Sequence, residues 1–133
     1  MNIHFERPSP KEYIELRQAA GHDSKDEARA ERALGRSIAS LTVRDDGSKL
    51  IGMARVIGDG AYYFQIVDLT VAPEYRDTGL ERKMMAELAD YLTGSAPKGS
   101  EAILMADVPS IEMYKTYGFE FTYPNSISLR KML

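Results

Sequence analysis

The chain has 133 residues, of which 44% are hydrophobic, and it carries a formal net charge of -3. That length predicts one globular domain over residues 1–133, and the acidic balance argues against a nucleic-acid-binding surface, which needs clustered basic residues. The absence of cysteine excludes disulfides and thiolate chemistry, and two histidines, His4 and His22, are too few for a structural zinc site. Because no apolar run could span a bilayer and the N-terminus lacks the apolar core of a signal peptide, the sequence predicts a cytoplasmic protein with no metal or membrane partner.

The first half of the chain predicts a short strand, two helices and a β-hairpin. After a first strand, a helix opens at Ser9 or Pro10 and ends at Gly21. A second, amphipathic helix is predicted over residues 26–38, where small and apolar residues share one face. Two β-rich runs then flank Asp46-Gly47, a strong short-range hairpin signal.

The second half predicts a buried strand, a long helix and a short strand–helix pair. The strand covers residues 62–71, and the helix after Gly79 has apolar residues spaced by four, four and three, with Gly94 as its stop. Its apolar face consists of Leu80, Met84, Leu88 and Tyr91. A strand over 101–107 leads to a helix with Pro109 in its first turn and Gly118 as its end.

The chain is predicted to close with two strands, "FEFTY" and "SISLRKM", joined at Pro124-Asn125. The complete order of elements is then βααβββαβαββ. This order predicts an α/β protein with a sheet of mixed direction.

Residues 71–81, "VAPEYRDTGLE", form a junction from strand to helix that carries one glycine. A helix start offers unpaired amides and the positive end of the macrodipole, and together these bind phosphate oxygens. The same stretch also matches a capping box, in which the Thr78 hydroxyl and the Glu81 carboxylate satisfy some of the same amides. The residues alone leave a phosphate site and a well-capped helix as open alternatives.

Two motifs resemble the GNAT superfamily of N-acyltransferases. Arg76 and Gly79 match the Arg/Gln-x-x-Gly-x-Gly/Ala signature of that family, whereas Glu81 stands where the family has glycine or alanine. In "MYKTYGFEF", Tyr114 precedes Gly118-Phe119 by four residues, as in the family's C-terminal pattern. The order of elements also agrees, so the resemblance covers essentially the whole chain. It implies the GNAT fold, a central mixed, mostly antiparallel sheet that is splayed at the cofactor site and flanked by helices.

The resemblance also implies a site for acetyl-CoA between the splayed strands. The backbone of Leu69 and Val71 would hold the pantetheine arm, much as a sheet edge pairs with an added strand. Backbone amides would hold the pyrophosphate, and they belong to Arg76, Asp77, Thr78, Gly79, Leu80 and Glu81. Asp107 replaces a family asparagine at the cofactor, and an aspartate can accept hydrogen bonds but cannot donate an amide N–H.

Tyr114 is the residue that the resemblance assigns to acid catalysis. A phenol with an ordinary pKa of about 10 stays protonated at neutral pH and can donate to the departing CoA sulfur. The alternative is packing with one hydrogen bond. No side-chain base is predicted, because Gln65 occupies the usual position and Asp68 should face the other way with a structural role. Deprotonation would then use ordered water, or the neutral amine would bind directly.

The implied function is an acetyl-CoA-dependent N-acetyltransferase that acts on a primary amine of a small molecule by direct attack in a ternary complex. A polyamine, an amino sugar, an arylalkylamine or a peptide N-terminus would suit, and relatives are often homodimers. Methionines and aromatics could line the acceptor cleft or belong to the core: Met53, Tyr62, Tyr63, Phe64, Met105 and Met113. A second hypothesis is a catalytically impaired binding or regulatory module with this fold, since Glu81, Gln65 and Asp107 all depart from the family pattern.

Overall fold

The computed structural model describes residues 1–23 and 26–133. The elements in chain order are β1 (Asn2–His4), α1 (Pro10–Ala19), α2 (Glu27–Gly35), β2 (Ala39–Arg44), β3 (Leu50–Gly58), β4 (Tyr63–Val71), α3 (Leu80–Ser95), β5 (Glu101–Leu104) and α4 (Ile111–Thr116). Two 3₁₀ turns, Pro73–Tyr75 and Val108–Ser110, precede α3 and α4.

Across the described residues, the strands form one five-stranded sheet in the order β1-β2-β3-β4-β5. Every neighbouring pair is antiparallel except β4 and β5, which are parallel. The β2–β3 hairpin turns where Asp46-Gly47 predicted it, and the Asp45 carboxylate accepts hydrogen bonds of 2.9 Å from the amides of Gly47 and Lys49. The predicted α/β architecture with a mixed, mostly antiparallel sheet is therefore confirmed.

The side chains of β3 point alternately to the two faces of the sheet, and the two faces contact different helices. Gly52 lies against α3, because a Cβ added there would sit 3.2 Å from the sulfur of Met84. Arg55, on the other face, donates to the carbonyl of Ala33 in α2. Most of the predicted apolar face of α3 is buried in this core, which includes Leu80, Met84, Met85, Leu88 and Leu92, whereas Tyr91 is only half-buried against it. The sheet is thus covered by α1 and α2 on one side and by α3 on the other.

Local capping explains where the first two helices begin. Ser9 and Glu12 form a capping box at the start of α1, and the Asp26 carboxylate accepts from the amide of Arg29 at 3.0 Å at the start of α2. Helix α2 ends at Gly35 rather than at residue 38, because the amide of Ile38 bonds the carbonyl of Val56 and so joins the sheet. In the described parts of the chain, no helix has the length and apolarity needed to cross a bilayer.

Several predictions about the second half of the chain are wrong. The fifth strand ends at residue 104 rather than at residue 107, and Pro109 lies in the 3₁₀ turn before α4 rather than in the first turn of that helix. Helix α3 continues through Gly94 to Ser95, so this glycine is not its stop. The two closing strands are also missing: within the described residues, nothing after α4 is helix or strand. Only the predicted turn is present, with the Ser126 amide bonded to the Thr122 carbonyl at 3.0 Å. A strand needs a hydrogen-bonded neighbour, and here the two arms of the turn have none along their length.

Candidate active site

A cleft opens between β4 and β5 because the two strands pair over only part of their length. Their parallel ladder runs from Tyr63 opposite Glu101 to Ile66 opposite Leu104, and among the described residues it has no further pair. Since β4 continues to Val71, its second half faces the chain beyond Leu104 across a gap. Backbone groups on this edge of β4 are left for an extended ligand, which can pair as an added strand does.

A β-bulge lies on β4 beside this cleft. Asp68 and Leu69 together face the single residue Ala54 of β3, and Asp68 has a left-handed φ of +57°. The bulge breaks the alternation that was expected to separate Gln65 from Asp68. Both residues consequently border the cleft.

The Asp68 carboxylate is held by three side chains. It accepts from the hydroxyl of Tyr13 at 2.6 Å, from Nε of Arg55 at 2.8 Å and from Nη1 of Arg17 at 2.5 Å, and its side chain is only 10% exposed. Burial alone raises the pKa of Asp68, but the hydrogen bonds from Tyr13 and Arg55 and the charges of both arginines outweigh it, so the pKa lies below its ordinary value. A carboxylate bound in this way is a structural anchor for the bulge and a poor base.

Helix α3 begins without a side-chain cap. Its N-cap is Gly79, which has a left-handed φ of +87°, and the hydroxyl of Thr78 donates instead to the carbonyl of Tyr75 at 2.6 Å. The capping box predicted from Thr78 to Glu81 is therefore wrong, because the cap position falls on Gly79 and the threonine is used in the preceding turn. The first amides of α3 stay available to an anion.

The predicted pyrophosphate segment lies at the surface. Its exposed residues are Arg76, Asp77, Thr78 and Gly79, followed by the half-buried Glu81. Leu80 is only 2% exposed and ties the segment to the core. A Cβ added to Gly79 would meet no atom within 4 Å, so the space beside the amides is open. This open surface is compatible with a phosphate ligand.

The Tyr114 ring lies in α4 at the edge of the cleft and is only 9% exposed. Burial raises the pKa of Tyr114 to about 12, and the negative charges of Glu81 and Asp107 contribute to that rise. Phe119 packs edge-on against the ring, with 6.4 Å between centroids. The phenol is thus protonated at neutral pH, and the carboxylate of Glu81, in the first turn of α3, contributes to its raised pKa.

The cleft has a volume of about 300 Å³ and brings together residues from distant parts of the chain. Leu69, Asp107 and Tyr114, all predicted site residues, line it, whereas Val71 is buried at the end of β4. Arg17 and His22 also line the cleft, and sequence reasoning missed both. No local pattern marks them, because the approach of α1 and its following loop to β4 is a tertiary contact.

Most of the residues considered for an acceptor cleft lie elsewhere. Met105 borders the cleft and is exposed. Met53, Phe64 and Met113 belong to the core, and Tyr62 and Tyr63 are exposed near the other end of β4. Among the described residues, no group of three or more His, Asp or Glu side chains could hold a metal ion.

Comparison with solved structures shows the same fold in other proteins. A crystal structure of SA2161 from meticillin-resistant Staphylococcus aureus, a protein of unknown function and probable acetyltransferase, matches with a TM-score of 0.88 and 31% identity over 99% of this chain and 98% of that one. YhbS from Escherichia coli, a GNAT family N-acetyltransferase solved in complex with CoA, matches with a TM-score of 0.65 and 24% identity over 90% of this chain and 68% of its own.

Sequence comparison agrees with this likeness. GCN5-related N-acetyltransferase 2, a chloroplastic protein of Arabidopsis thaliana, is 38% identical over 72 residues, which are 54% of this chain and 27% of that protein. The chain spans between about a quarter and two fifths of the length of the curated relatives it matches. The acetyltransferase (GNAT) family model matches residues 4–119. Because the family model matches most of the length of this chain, the chain belongs to the GNAT family of acetyltransferases.

Proposed function

We propose that this protein transfers an acetyl group from acetyl-CoA to a primary amine of a small molecule. The observation that carries the proposal is one arrangement: a protonated phenol, Tyr114, borders a cleft between β4 and β5, and β4 leads directly to the uncapped start of α3. The phenol suits the thioester of an acyl-CoA, and the strand edge suits its extended pantetheine arm. The start of α3, which can bind an anion, suits its pyrophosphate.

The donor fits along β4 and onto α3. The pantetheine arm would pair with the backbone at Leu69 and Val71, past the end of the β5 ladder, where the described part of the chain places no strand beside that edge of β4. The pyrophosphate would accept hydrogen bonds from amides of residues 76–81, with the helix dipole in favour of its charge. YhbS, which shares the fold, was solved with CoA, and this supports the same use of the cleft.

In the reaction, the amine nitrogen attacks the thioester carbonyl carbon, a new C–N bond forms and the C–S bond breaks. Tyr114 donates its hydroxyl proton to the departing thiolate, and the proton released by the amine returns through water to the phenolate. The products are the acetylated amine and CoA with a free thiol. Since the pKa of Tyr114 is about 12, the residue is in its donor form throughout the neutral range.

The acceptor is best matched by a small cationic amine. Asp68 is already paired with Arg17 and Arg55, so the carboxylates of Glu81 and Asp107 are the negative charges felt at the phenol. They favour an ammonium group near the cleft. A polyamine, an amino sugar or an arylalkylamine fits this description. We assign no side-chain base, and the amine either binds in its neutral form or loses its proton to ordered water.

Thermal unfolding with and without acetyl-CoA tests the donor site. A ligand that binds only the native state adds about 2.7 kcal/mol to the free energy of unfolding at a concentration about 100 times its Kd, which raises the Tm of a domain this size by several degrees. Acetyl phosphate, which lacks the pantetheine arm, is the control and should leave Tm unchanged. If acetyl-CoA also leaves Tm unchanged, the proposed enzyme is ruled out.

Release of CoA thiol in the presence of a panel of amines tests the transfer itself. The chain contains no cysteine, so a thiol-reactive dye reports only the product. We expect release with at least one small primary amine and none without an acceptor. If acetyl-CoA raises Tm but no amine causes release, a binding or regulatory module replaces the enzyme as the better account.

Replacement of Glu81 with glutamine tests how this carboxylate affects the pKa of Tyr114 and the binding of CoA at the start of α3. The pKa of Tyr114 should fall from about 12, because one of the negative charges that raise it is removed. Removal of a charge from the first turn of α3 should also tighten CoA binding roughly two- to five-fold, which corresponds to about 0.3–1 kcal/mol of dipole and charge interaction.

Ultraviolet titration of tyrosinate measures the first effect, with the Glu81→Gln/Tyr114→Phe double variant as the blank. Glu87→Gln, on an exposed position of the same helix, is the matched control and should change neither quantity. An unaltered titration of Tyr114, together with unaltered or weaker CoA binding, would show that Glu81 faces away from the site.

A further inference from the structure

The side of the cleft where α1 meets β4 carries a positive charge that its carboxylate does not fully neutralise. Nη1 of Arg17 and Nε of Arg55 both donate to Asp68. Among the described residues, Asp68 is also the only ion-pair partner of either arginine. One carboxylate balances only one of the two guanidinium charges, so a net positive charge remains in this cluster.

Arg17 presents this charge to the cleft, because Arg55 is directed elsewhere. Nη1 of Arg55 donates to the carbonyl of Ala33 at 3.2 Å and to the hydroxyl of Ser37 at 3.0 Å, which lie in α2 and just after it. Arg17, in contrast, borders the cleft with 24% of its side chain exposed. The hydrogen bonds between described residues use only Nη1 of Arg17, so its other guanidinium N–H groups are left for a ligand.

Arg17 is held in place before any ligand binds. Its guanidinium bonds Asp68 and lies 5.5 Å from the centroid of the Tyr13 ring, and the Tyr13 hydroxyl donates to the same carboxylate at 2.6 Å. His22, whose amide bonds the carbonyl of Arg17 at 2.8 Å, also lines the cleft. A guanidinium that is already ordered loses little side-chain entropy when it binds an anion, and its planar fork matches carboxylates and phosphates.

The β5 side of the cleft carries the opposite charge. Asp107, which follows β5, lines the cleft together with Tyr114. The charges of Glu81 and Asp107 contribute to the raised pKa of Tyr114, so negative charge lies close to the phenol. An ammonium group is favoured at this end, whereas an anion is favoured at Arg17. The cleft thus separates a position for a cation from a position for an anion.

We propose that Arg17 binds an anionic group of the acceptor, so that the amine substrate also carries a carboxylate or a phosphate. This inference rests on the proposed acetyl transfer and narrows its acceptor. The amine lies toward Tyr114 and Asp107, and the anion pairs with Arg17. Amino acids and phosphorylated amines carry both groups. A polyamine carries only positive charges and is repelled by Arg17, so it is not the preferred acceptor.

Matched pairs of amines test this specificity in the unmodified protein. Release of CoA thiol is measured with a panel of amino acids against their amides, such as leucine against leucinamide, and with phosphoethanolamine against ethanolamine. We expect kcat/KM to be about 10-fold higher or more for the anionic member of at least one pair, the factor expected for hydrogen bonds to a charged group. The pair that shows this preference distinguishes a carboxylate from a phosphate. A nearby anion raises the pKa of an amine, so the preference does not come from a larger neutral fraction.

Variants of Arg17 assign the preference to this side chain. Arg17→Met should bring the ratio of kcat/KM within the preferred pair to about two-fold or less, whereas Arg17→Lys, which keeps the charge but not the planar fork, should retain part of it. Asp68 keeps Tyr13 and Arg55 as partners in both variants. Both amines are measured on one preparation, so the ratio does not depend on its folded fraction. Arg36→Met, at an exposed position outside the cleft, is the matched control and should keep the wild-type ratio.

Calorimetric titration of the paired amines in the presence of CoA separates this inference from the proposed enzyme. Tighter binding of the anionic member without transfer to any amine would support the anion site and overturn only the enzyme. Transfer to both members with equal kcat/KM, or a preference that survives in Arg17→Met, would overturn the inference and leave the acetyltransferase in place. Absence of both binding and transfer for every anionic amine would overturn the inference as well.

Discussion

Replacement of Tyr114 with phenylalanine is expected to lower kcat by about 100-fold or more, with little change in the KM for acetyl-CoA. General acid catalysis contributes about 10²–10⁴-fold, and a contact made only as the thiolate forms affects kcat rather than binding. The ring itself stays, so its edge-on contact with Phe119 is retained. Wild-type activity should also show no loss from ionisation of Tyr114 at any pH well below its pKa of about 12.

Steady-state kinetics on the best amine of the panel measures this effect. Tyr62→Phe is the matched control, because Tyr62 is 72% exposed and lies at the other end of β4 from the cleft. It should retain wild-type kcat. Equal kcat in wild type and Tyr114→Phe would remove Tyr114 from the chemistry and leave it a packing residue.

Replacement of Asp68 with asparagine should lower the free energy of unfolding by about 3 kcal/mol or more at neutral pH. Asparagine tolerates the left-handed backbone at this position, so the change isolates the charge. It leaves Arg17 and Arg55, which are 24% and 13% exposed at their side chains, without the carboxylate that neutralises them. Removal of one partner from a buried ion pair typically costs about 3–5 kcal/mol.

The pH dependence of the free energy of unfolding provides a second test of the Asp68 charge, and its direction can be predicted. Because the pKa of Asp68 is lowered in the folded protein, its stabilisation is present above the ordinary value of 3.8 and is lost as the pH falls below it. The gap in stability between wild type and Asp68→Asn should therefore close in acid. Asp77→Asn, an exposed aspartate with a φ of +59°, is the control and should change stability by less than about 0.5 kcal/mol. A gap that stays constant through acid pH would show that the carboxylate charge does not support the bulge.

Local features of the fold were predictable because they depend on residues close together in the chain. Ser9 predicts the start of α1, and Asp46-Gly47 predicts the β2–β3 hairpin. The spacing of apolar residues after Gly79 predicts the buried face of α3. The GNAT family was also predictable, because Arg76 and Tyr114 stand in short motifs that the resemblance could match, and the family comparison confirms it.

The rest depends on contacts that local pattern does not encode. The bulge at Asp68 exists because Tyr13 and two arginines converge on one carboxylate from other elements. His22 reaches the cleft only through the packing of α1 against β4. The closing strands after Phe119 follow a valid pattern, yet a strand pattern forms a strand only where a neighbour pairs with it. An alternating sequence pattern predicts that a segment can pair as a strand, but it does not show whether a neighbouring strand is present to pair with it.

A crystal structure of the protein with CoA is the most direct test of the central claim. It should show the pantetheine arm along β4 at Leu69 and Val71, the sulfur beside the Tyr114 hydroxyl, and the pyrophosphate on the amides of residues 76–81. CoA bound outside the cleft between β4 and β5, or with its pyrophosphate away from the start of α3, would contradict the account.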